Sequence, residues 1–119
     1  MNELAIAQSL LEAYETKQPI APITTSQPSI TVDEAYRIQL AQIESRIASG
    51  DVIVGKKIGL TSKVMQQMFD VTEPDYGHIL ASMVLADGDE VAINHMIQPK
   101  IEFEIAFVFD KELKGPKVT

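Results

Sequence analysis

Apolar residues recur with the period of an α-helix in two stretches of the first fifty residues. The first stretch, residues 3–16, has its apolar face at Leu4, Ala7, Leu11 and Tyr14. The second begins at Thr31, which forms a capping-box pattern with Glu34, because each side chain can satisfy the other residue's free backbone N–H group. Its apolar face consists of Tyr36, Leu40, Ile43 and Ile47. The pattern predicts two helices, the second ending at Gly50, with an extended, proline-rich connector over residues 19–30.

Beyond Gly50 the pattern changes to short apolar runs that are typical of β-strands. Residues 52–59 are rich in β-branched side chains and bounded by glycine, and residues 100–109 alternate in character along the chain, so both predict strands. We expect a further short strand over 90–93, a short helix over 63–69 and a loop over 70–78. Helices followed by strands predict an α+β fold.

The predicted strand over residues 100–109 is apolar on much of both faces. Such a strand needs neighbours on both sides and layers above and below it, and the three or four strands predicted here do not supply them. We therefore expect either that a partner subunit completes the sheet or that this chain is the front part of a longer protein.

Composition and charge narrow the class of protein. The 119 residues suit one domain, and 45% hydrophobic with 23% charged residues excludes wholesale disorder. A net charge of -7 argues against a broad nucleic-acid surface and against a polybasic membrane contact. The absence of cysteine excludes disulfides, thiolate metal sites and cysteine nucleophiles, and it fits a cytoplasmic location. No apolar run approaches the roughly 18 residues of a membrane-spanning helix.

Glu102 and Glu104 stand two residues apart in the predicted strand, so their side chains should share one face. At a rise of about 3.3 Å per residue their Cα atoms are about 6.6 Å apart, which allows both carboxylates to reach one Mg²⁺ or Mn²⁺ ion. The alternative is a solvated face on which both carboxylates meet water. The same face continues as Ala106 and Val108, and two like charges on a partly apolar face favour an offsetting cation.

The segment from Gly55 to Ser62 contains two adjacent lysines but fits neither common phosphate-binding motif. It lacks the Gly-Lys-Ser/Thr of the P-loop and the third glycine of the dinucleotide fingerprint. Lys56 and Lys57 point to opposite faces, so at most one serves a given site, as a catalytic or anion-binding amine whose pKa is lowered by burial. The alternative is a surface pair on an edge strand. Thr61 and Ser62 begin the predicted short helix, whose free N–H groups suit a substrate carboxylate.

Asp75 lies in the run Glu-Pro-Asp-Tyr-Gly at residues 73–77. Aspartate beside proline and glycine is usually turn chemistry, so this residue carries no functional signal on its own. His78 and His95 have no histidine partner at ligand spacing, and we interpret both as structural or exposed.

Three segments together carry a resemblance to a known family. They are Gly-Lys-Lys-Ile-Gly-Leu-Thr-Ser at 55–62, Glu-Pro-Asp-Tyr-Gly at 73–77 and Gln-Pro-Lys-Ile-Glu-Phe-Glu-Ile-Ala at 98–106. In this order and spacing they resemble the 2-keto-4-pentenoate hydratases, also called 2-hydroxypenta-2,4-dienoate hydratases, of the fumarylacetoacetate hydrolase superfamily. Residues 20–22 and 35–39 look like the N-terminal region of that family. The resemblance spans nearly the whole chain and corresponds to the first half of a family member.

The resemblance implies an α+β fold with helices at the N-terminus and a mixed β-roll that holds a divalent metal. Residues 1–50 would be the helical region, and residues 51–119 would be the first part of the catalytic β-roll, which is incomplete in this chain. The third metal carboxylate of the family would lie past Thr119, together with several substrate contacts.

The same resemblance implies roles for individual residues. Glu102 and Glu104 match the first two metal-binding carboxylates, which would hold Mg²⁺ or Mn²⁺. Lys57 matches a catalytic lysine, and Asp75 matches an active-site aspartate. We assign Lys57 to oxyanion stabilisation or proton transfer and Asp75 to proton transfer or water positioning.

The reaction implied is the addition of water to 2-hydroxypenta-2,4-dienoate, giving 4-hydroxy-2-oxopentanoate, in the catabolism of aromatic compounds. An alternative in the same family is 4-oxalocrotonate decarboxylase, which shares these motifs and the metal. A third hypothesis is a non-catalytic fragment or subunit that binds a partner through its unfinished sheet. We expect a small 2-oxo or 2-hydroxy acid as the substrate, a homo-oligomer, and no nucleic acid or membrane as partner.

Overall fold

The computed structural model describes residues 2–116 and 118. Its helices and strands are α1 (Glu3–Thr16), α2 (Ile23–Ser26), α3 (Val32–Ala48), β1 (Ile53–Gly59), α4 (Lys63–Met68) and β2 (Asp75–Leu80). Two 3₁₀ turns follow, at Ala81–Met83 and Ile93–His95. Helices followed by a two-stranded sheet make an α+β arrangement, so the predicted fold class is confirmed. Across the described residues, no helix has both the length and the apolar content to cross a membrane.

The helices begin and end where local sequence signals place them. The Asn2 side chain caps α1 by accepting a hydrogen bond from the Ala5 N–H at 3.1 Å. At the start of α3 the capping box is complete: Glu34 N donates to Thr31 Oγ1 at 3.3 Å, and Thr31 N donates to Glu34 Oε2 at 2.8 Å. Gly50 follows α3 with a φ of +100°, a left-handed conformation that glycine adopts without strain. The connector over 19–30 differs from its prediction, since it contains the single helical turn α2.

The faces predicted for α1 and α3 are correct only in part. The two helices pack on each other, and the buried apolar residues are Ala7, Ala13, Ile38, Ile43 and Leu80. Leu4 and Tyr14 belong to the predicted apolar face of α1 but are exposed. Leu40 and Ile47, on the predicted apolar face of α3, are exposed as well. Periodicity shows that a helix has an apolar side, but the neighbouring elements decide which row of that side is covered.

Strands β1 and β2 pair in antiparallel fashion, with Lys57 opposite Gly77 and Gly59 opposite Asp75. Residues directly opposite each other in such a pair have side chains on the same face. Lys57 and Asp75 therefore share one face of the sheet, with two glycines between them. The prediction of a loop through residues 70–78 is wrong in its last part, because β2 begins at Asp75.

The other face of the sheet lies against α3. It carries Lys56, Ile58, Tyr76 and His78 by the same register. The Tyr36 ring of α3 stacks on the Tyr76 ring with 4.8 Å between centroids. Helix α3 thus contacts the sheet at Tyr76, on the face opposite Lys57 and Asp75, while Ile58 on the same face as Tyr76 stays 59% exposed.

The strands predicted over 90–93 and 100–109 are both wrong. Residues 100–109 have no regular secondary structure, and Ile93 begins a 3₁₀ turn instead. A strand requires hydrogen bonds to a neighbouring strand, and no such neighbour pairs with these residues in the part of the chain that the structure describes. We call Ile101, Phe103, Ile105, Phe107 and Phe109 the apolar stripe. Its members are 67–99% exposed.

The accessible surface is large for the mass of the chain. It amounts to 10224 Å², whereas a compact monomer of 13.1 kDa exposes about 6,400 Å². The apolar stripe is a main contributor, because large apolar side chains stand free in solvent over residues 101–109.

Candidate functional site

An open groove of about 820 Å³ lies beside β1 and β2 and is lined by residues from both faces of the sheet. All six residues predicted for the site line it, and they are Lys57, Thr61, Ser62, Asp75, Glu102 and Glu104. They come from the end of β1, the start of α4, the start of β2 and the segment 100–109. Their convergence depends on contacts between residues up to 47 positions apart in sequence.

Lys57 joins the two predicted metal carboxylates. Its Nζ lies 2.7 Å from Glu104 Oε1 and 3.2 Å from Glu102 Oε2. Both carboxylates therefore reach one point in space, although the segment that carries them forms no strand. Lys56 points to the other face, where its Nζ lies 5.7 Å from the centre of the Tyr76 ring. The structure thus separates the two lysines as strand alternation predicts.

The pKa of Lys57 is shifted in the direction opposite to that expected for a buried amine. Its hydrogen bond to Glu104, and then that to Glu102, raise the pKa of Lys57 above its ordinary value, and the smaller effect of desolvation does not reverse this. The side chain is about half exposed. Lys57 is therefore a stable ammonium ion at neutral pH and acts here as a cation rather than as a free base.

Asp75 lies against the backbone of Gly59, its partner across the sheet. A Cβ atom built on Gly59 would overlap the Asp75 carboxylate, with the carboxylate carbon only 3.3 Å away. A larger residue at this position would force the Asp75 carboxylate to move, so the second glycine of the 55–62 segment shapes the site. Because Lys57 lies two residues before Gly59, the ammonium and the Asp75 carboxylate project from the same sheet face.

The loop between β1 and α4 presents Thr61 and Ser62 to the groove. Ser62 Oγ caps α4 by accepting a hydrogen bond from Met65 N at 3.2 Å. The helix has only six residues, so the field at its start is weak. Leu60 adopts a left-handed conformation with a φ of +52°, and its carbonyl accepts a hydrogen bond at 2.7 Å from the buried Gln66 side chain. Gln66 therefore fixes the shape of the loop that carries both hydroxyl residues.

Sequence reasoning missed the residues that hold β2 in place. Tyr76 N donates to Tyr36 Oη at 3.2 Å, and Gln39 Nε2 donates to the Tyr76 carbonyl at 3.2 Å. Tyr36 and Gln39 lie three residues apart on α3, so they meet the same strand residue. A signal was present, because both belong to the 35–39 stretch that resembles the hydratases. His78 is half-buried beside them and also lines the groove.

The carboxylate pair fits part of a site for a hard divalent cation. Two carboxylate oxygens lie within 3.2 Å of one cationic nitrogen, and oxygen is the ligand type that Mg²⁺ and Ca²⁺ prefer. Within residues 2–116 and 118, no cluster of three or more histidine, aspartate or glutamate side chains suits a metal ion. The described residues thus offer two of the roughly six oxygen ligands that such an ion takes.

Known proteins with similar sequences share one type of activity in their names. The chain is 45% identical over 114 residues to 2-hydroxyhexa-2,4-dienoate hydratase of Comamonas testosteroni, covering 94% of this chain and 43% of that protein. It is 41% identical over 120 residues to 2-hydroxypent-2,4-dienoate hydratase of Pseudomonas putida, covering 100% and 53%. It is 43% identical over 113 residues to 2-keto-4-pentenoate hydratase of Paraburkholderia xenovorans, covering 95% and 42%. No protein-family model matches the chain.

Two solved structures of a decarboxylase have a similar fold. The 4-oxalocrotonate decarboxylase of Pseudomonas putida G7, complexed with calcium and acetate, superposes with a TM-score of 0.78 at 30% identity, covering 80% of this chain and 37% of that one. A second structure of that enzyme, with magnesium and adipate, has the same score. The predicted resemblance is therefore confirmed: nearly the whole length of this chain is similar in sequence to the 2-keto-4-pentenoate hydratases, and it spans about half the length of those proteins.

Proposed function

We propose that the whole protein is a divalent-metal-dependent hydratase that adds water to 2-hydroxypenta-2,4-dienoate to give 4-hydroxy-2-oxopentanoate. The observation that carries this proposal is the meeting of Lys57, Glu102 and Glu104 at one point of the groove that Asp75 also lines. The hydratase names of the relatives at 41–45% identity support the choice of reaction.

The reaction needs charge stabilisation and two proton movements. The enol proton of the substrate leaves and a proton is added at the terminal carbon; water then adds its hydroxyl group to C4 and a proton to C3. Glu102 and Glu104 would hold a divalent cation, which would supply Lewis-acid stabilisation of the negative charge that develops on the substrate. Mg²⁺ and Mn²⁺ both suit these oxygen ligands, and a related structure contains magnesium.

Lys57 and Asp75 divide the remaining tasks by charge. The Lys57 ammonium ion is suited to stabilise an oxyanion or to donate a proton, because its neighbours favour its charged form. The Asp75 carboxylate is suited to accept a proton or to orient the attacking water. Thr61 and Ser62 lie at the groove wall, where their hydroxyl groups can bind the substrate carboxylate.

Steady-state kinetics of the whole protein tests this assignment. The dienoate absorbs in the ultraviolet, so its decay in the presence of Mg²⁺ or Mn²⁺ reports hydration. Lys57→Ala should lower kcat by roughly 10²-fold or more, as loss of a positioned electrostatic or proton-transfer group typically does. Lys56→Ala makes the same charge change on the opposite sheet face and should have little effect. Equal losses from the two variants would refute the role of Lys57.

Decarboxylation of 4-oxalocrotonate is the second candidate, because the superposed structures belong to such an enzyme. Both reactions pass through the enolate of a 2-oxo acid, so the same lysine and carboxylates can stabilise the developing charge in either reaction. The products separate them, since only decarboxylation releases CO₂. Measurement of CO₂ release with the six-carbon diacid, beside ultraviolet decay with the five-carbon acid, assigns the reaction.

We also propose that the protein acts as a homo-oligomer in the cytoplasm on a small 2-oxo or 2-hydroxy acid. The exposed apolar stripe supports the oligomer, because large open apolar patches are rare on solitary proteins. The lack of cysteine supports a reducing compartment.

A further inference from the structure

Within the described residues, the side-chain hydrogen bonds and ion pairs of residues 100–110 converge on one partner. In the part of the chain that the structure describes, the hydrogen bonds and ion pairs of this segment all end on Lys57 Nζ. The segment forms no ladder with β1 or β2. Among the described residues, the polar contacts that place Glu102 and Glu104 beside the sheet are therefore those to this one ammonium ion.

That ammonium ion offsets an unfavourable arrangement. Two carboxylates that approach one point repel each other unless a cation lies between them. Lys57 supplies this cation from a fixed position on β1, and its two contacts of 2.7 and 3.2 Å have ordinary lengths for charge-assisted hydrogen bonds. A divalent ion bound to the same oxygens would carry the same kind of charge to the same point.

We propose that Lys57 is a resident counter-ion, which holds Glu102 and Glu104 together in the metal-free protein and which a divalent cation displaces when it binds. This inference rests on the proposed metal site. The displaced ammonium ion remains on the groove wall, next to where a substrate anion would bind, so the same side chain serves the metal-free and metal-loaded states in turn.

The proposal predicts the sign of an effect on metal affinity. If Lys57 competes with the metal, its removal strengthens metal binding, because the carboxylates lose a bound cation and the ion loses a repelling charge. If Lys57 only shapes the site, its removal weakens binding. Exposed ion pairs contribute little each, so we expect Lys57→Met to bind Mn²⁺ roughly threefold to tenfold more tightly.

Isothermal titration of the whole protein with Mn²⁺ alone, without substrate, measures this effect. Lys56→Met is the matched control, since it removes the same charge from the neighbouring residue on the other face. Lys57→Arg retains a cation and should keep the affinity of the unmodified protein. Raising the salt concentration should shrink the difference between Lys57→Met and the unmodified protein, because salt screens exposed charges.

Two failures are distinguishable. Equal affinities of Lys57→Met and Lys56→Met, or weaker binding by Lys57→Met, would overturn the counter-ion while leaving the metal site intact. Absence of Mn²⁺ binding by the unmodified protein and by every variant would overturn both this inference and the metal-dependent function on which it rests.

Discussion

The apolar stripe should drive self-association of the 119-residue chain. Its five large side chains are 67–99% exposed, and burying one such side chain fully contributes roughly 1.5–3 kcal/mol. The stripe therefore offers roughly 7–15 kcal/mol per copy, which is comparable to the roughly 4–15 kcal/mol that association costs in lost freedom. Since a symmetric pair buries two stripes, we expect oligomers at micromolar concentrations.

The double variant Phe103→Ser and Phe107→Ser tests the source of this association. It removes two of the three stripe phenylalanines from each copy and leaves both glutamates in place. If only half of the ideal transfer energy is realised, the pair loses at least about 3 kcal/mol, which weakens its dissociation constant by about a hundredfold or more. Light scattering over a dilution series, coupled to size-exclusion chromatography, measures the shift.

A control and a refuting result follow from the same exposure data. Leu4 and Val64 are also well exposed but belong to helices α1 and α4 rather than to the stripe. Leu4→Ser with Val64→Ser should leave the mass unchanged. A strictly monomeric unmodified chain, or equal masses for both double variants, would show that the stripe is covered within its own chain or is not the contact surface.

Three further predictions concern the site and its support. Glu102→Gln should weaken metal binding, because a neutral amide is a poorer ligand for a hard cation, and unchanged Mg²⁺ dependence of turnover would contradict the assignment. Gly59→Ala should displace the Asp75 carboxylate and lower turnover roughly tenfold or more. Gly55→Ala is the control and should have a mild effect, because its added Cβ would meet only ordinary contacts. Equal activities of the two variants would contradict a functional role for the close contact between Gly59 and Asp75. The hydrogen bond from the Ser82 hydroxyl is the main cause that lowers the pKa of Asp51 below its ordinary value of 3.8. The ionised Asp51 carboxylate therefore stabilises the folded state fully above pH 3.8, and this stabilisation is lost as the pH falls through the lower pKa of the folded state. Acid unfolding of Asp51→Asn should lack this part of the pH dependence, and superimposable curves would refute it.

The elements that sequence predicts well are those whose causes are local. The capping box of Thr31 and Glu34 forms as expected, and Ser62 caps α4 one residue before its first helical residue. Each cap is a hydrogen bond between residues three positions apart, so it can be predicted from a few letters of sequence. The predicted strand over 52–59 also agrees with β1 to within one residue, because the β-branched residues and glycines that indicate it belong to the strand itself.

The elements that sequence misses have distant causes. Strand β2 has few β-branched residues and follows Pro74, so it resembles a loop when considered alone. It becomes a strand because β1 pairs with it and because Tyr36 and Gln39 of α3 bind the backbone of Tyr76. The segment 100–109 is the reverse case, since it has the alternation of a strand but no pairing neighbour among the described residues.

The candidate site could be predicted more fully than the sheet that carries it, and alternation explains why. A spacing of two residues places Glu102 and Glu104 on a common side, and a spacing of one separates Lys56 from Lys57. Both carboxylates still reach Lys57 Nζ although the expected strand is absent, so their shared side does not depend on a hydrogen-bonded ladder. The position of Asp75 does depend on one, because the register that sets it opposite Gly59 brings it to the face of Lys57, and a slip of one residue would turn it to the other face. Sequence therefore identifies which side chains can act together, while the pairing of β1 with β2 determines that they do.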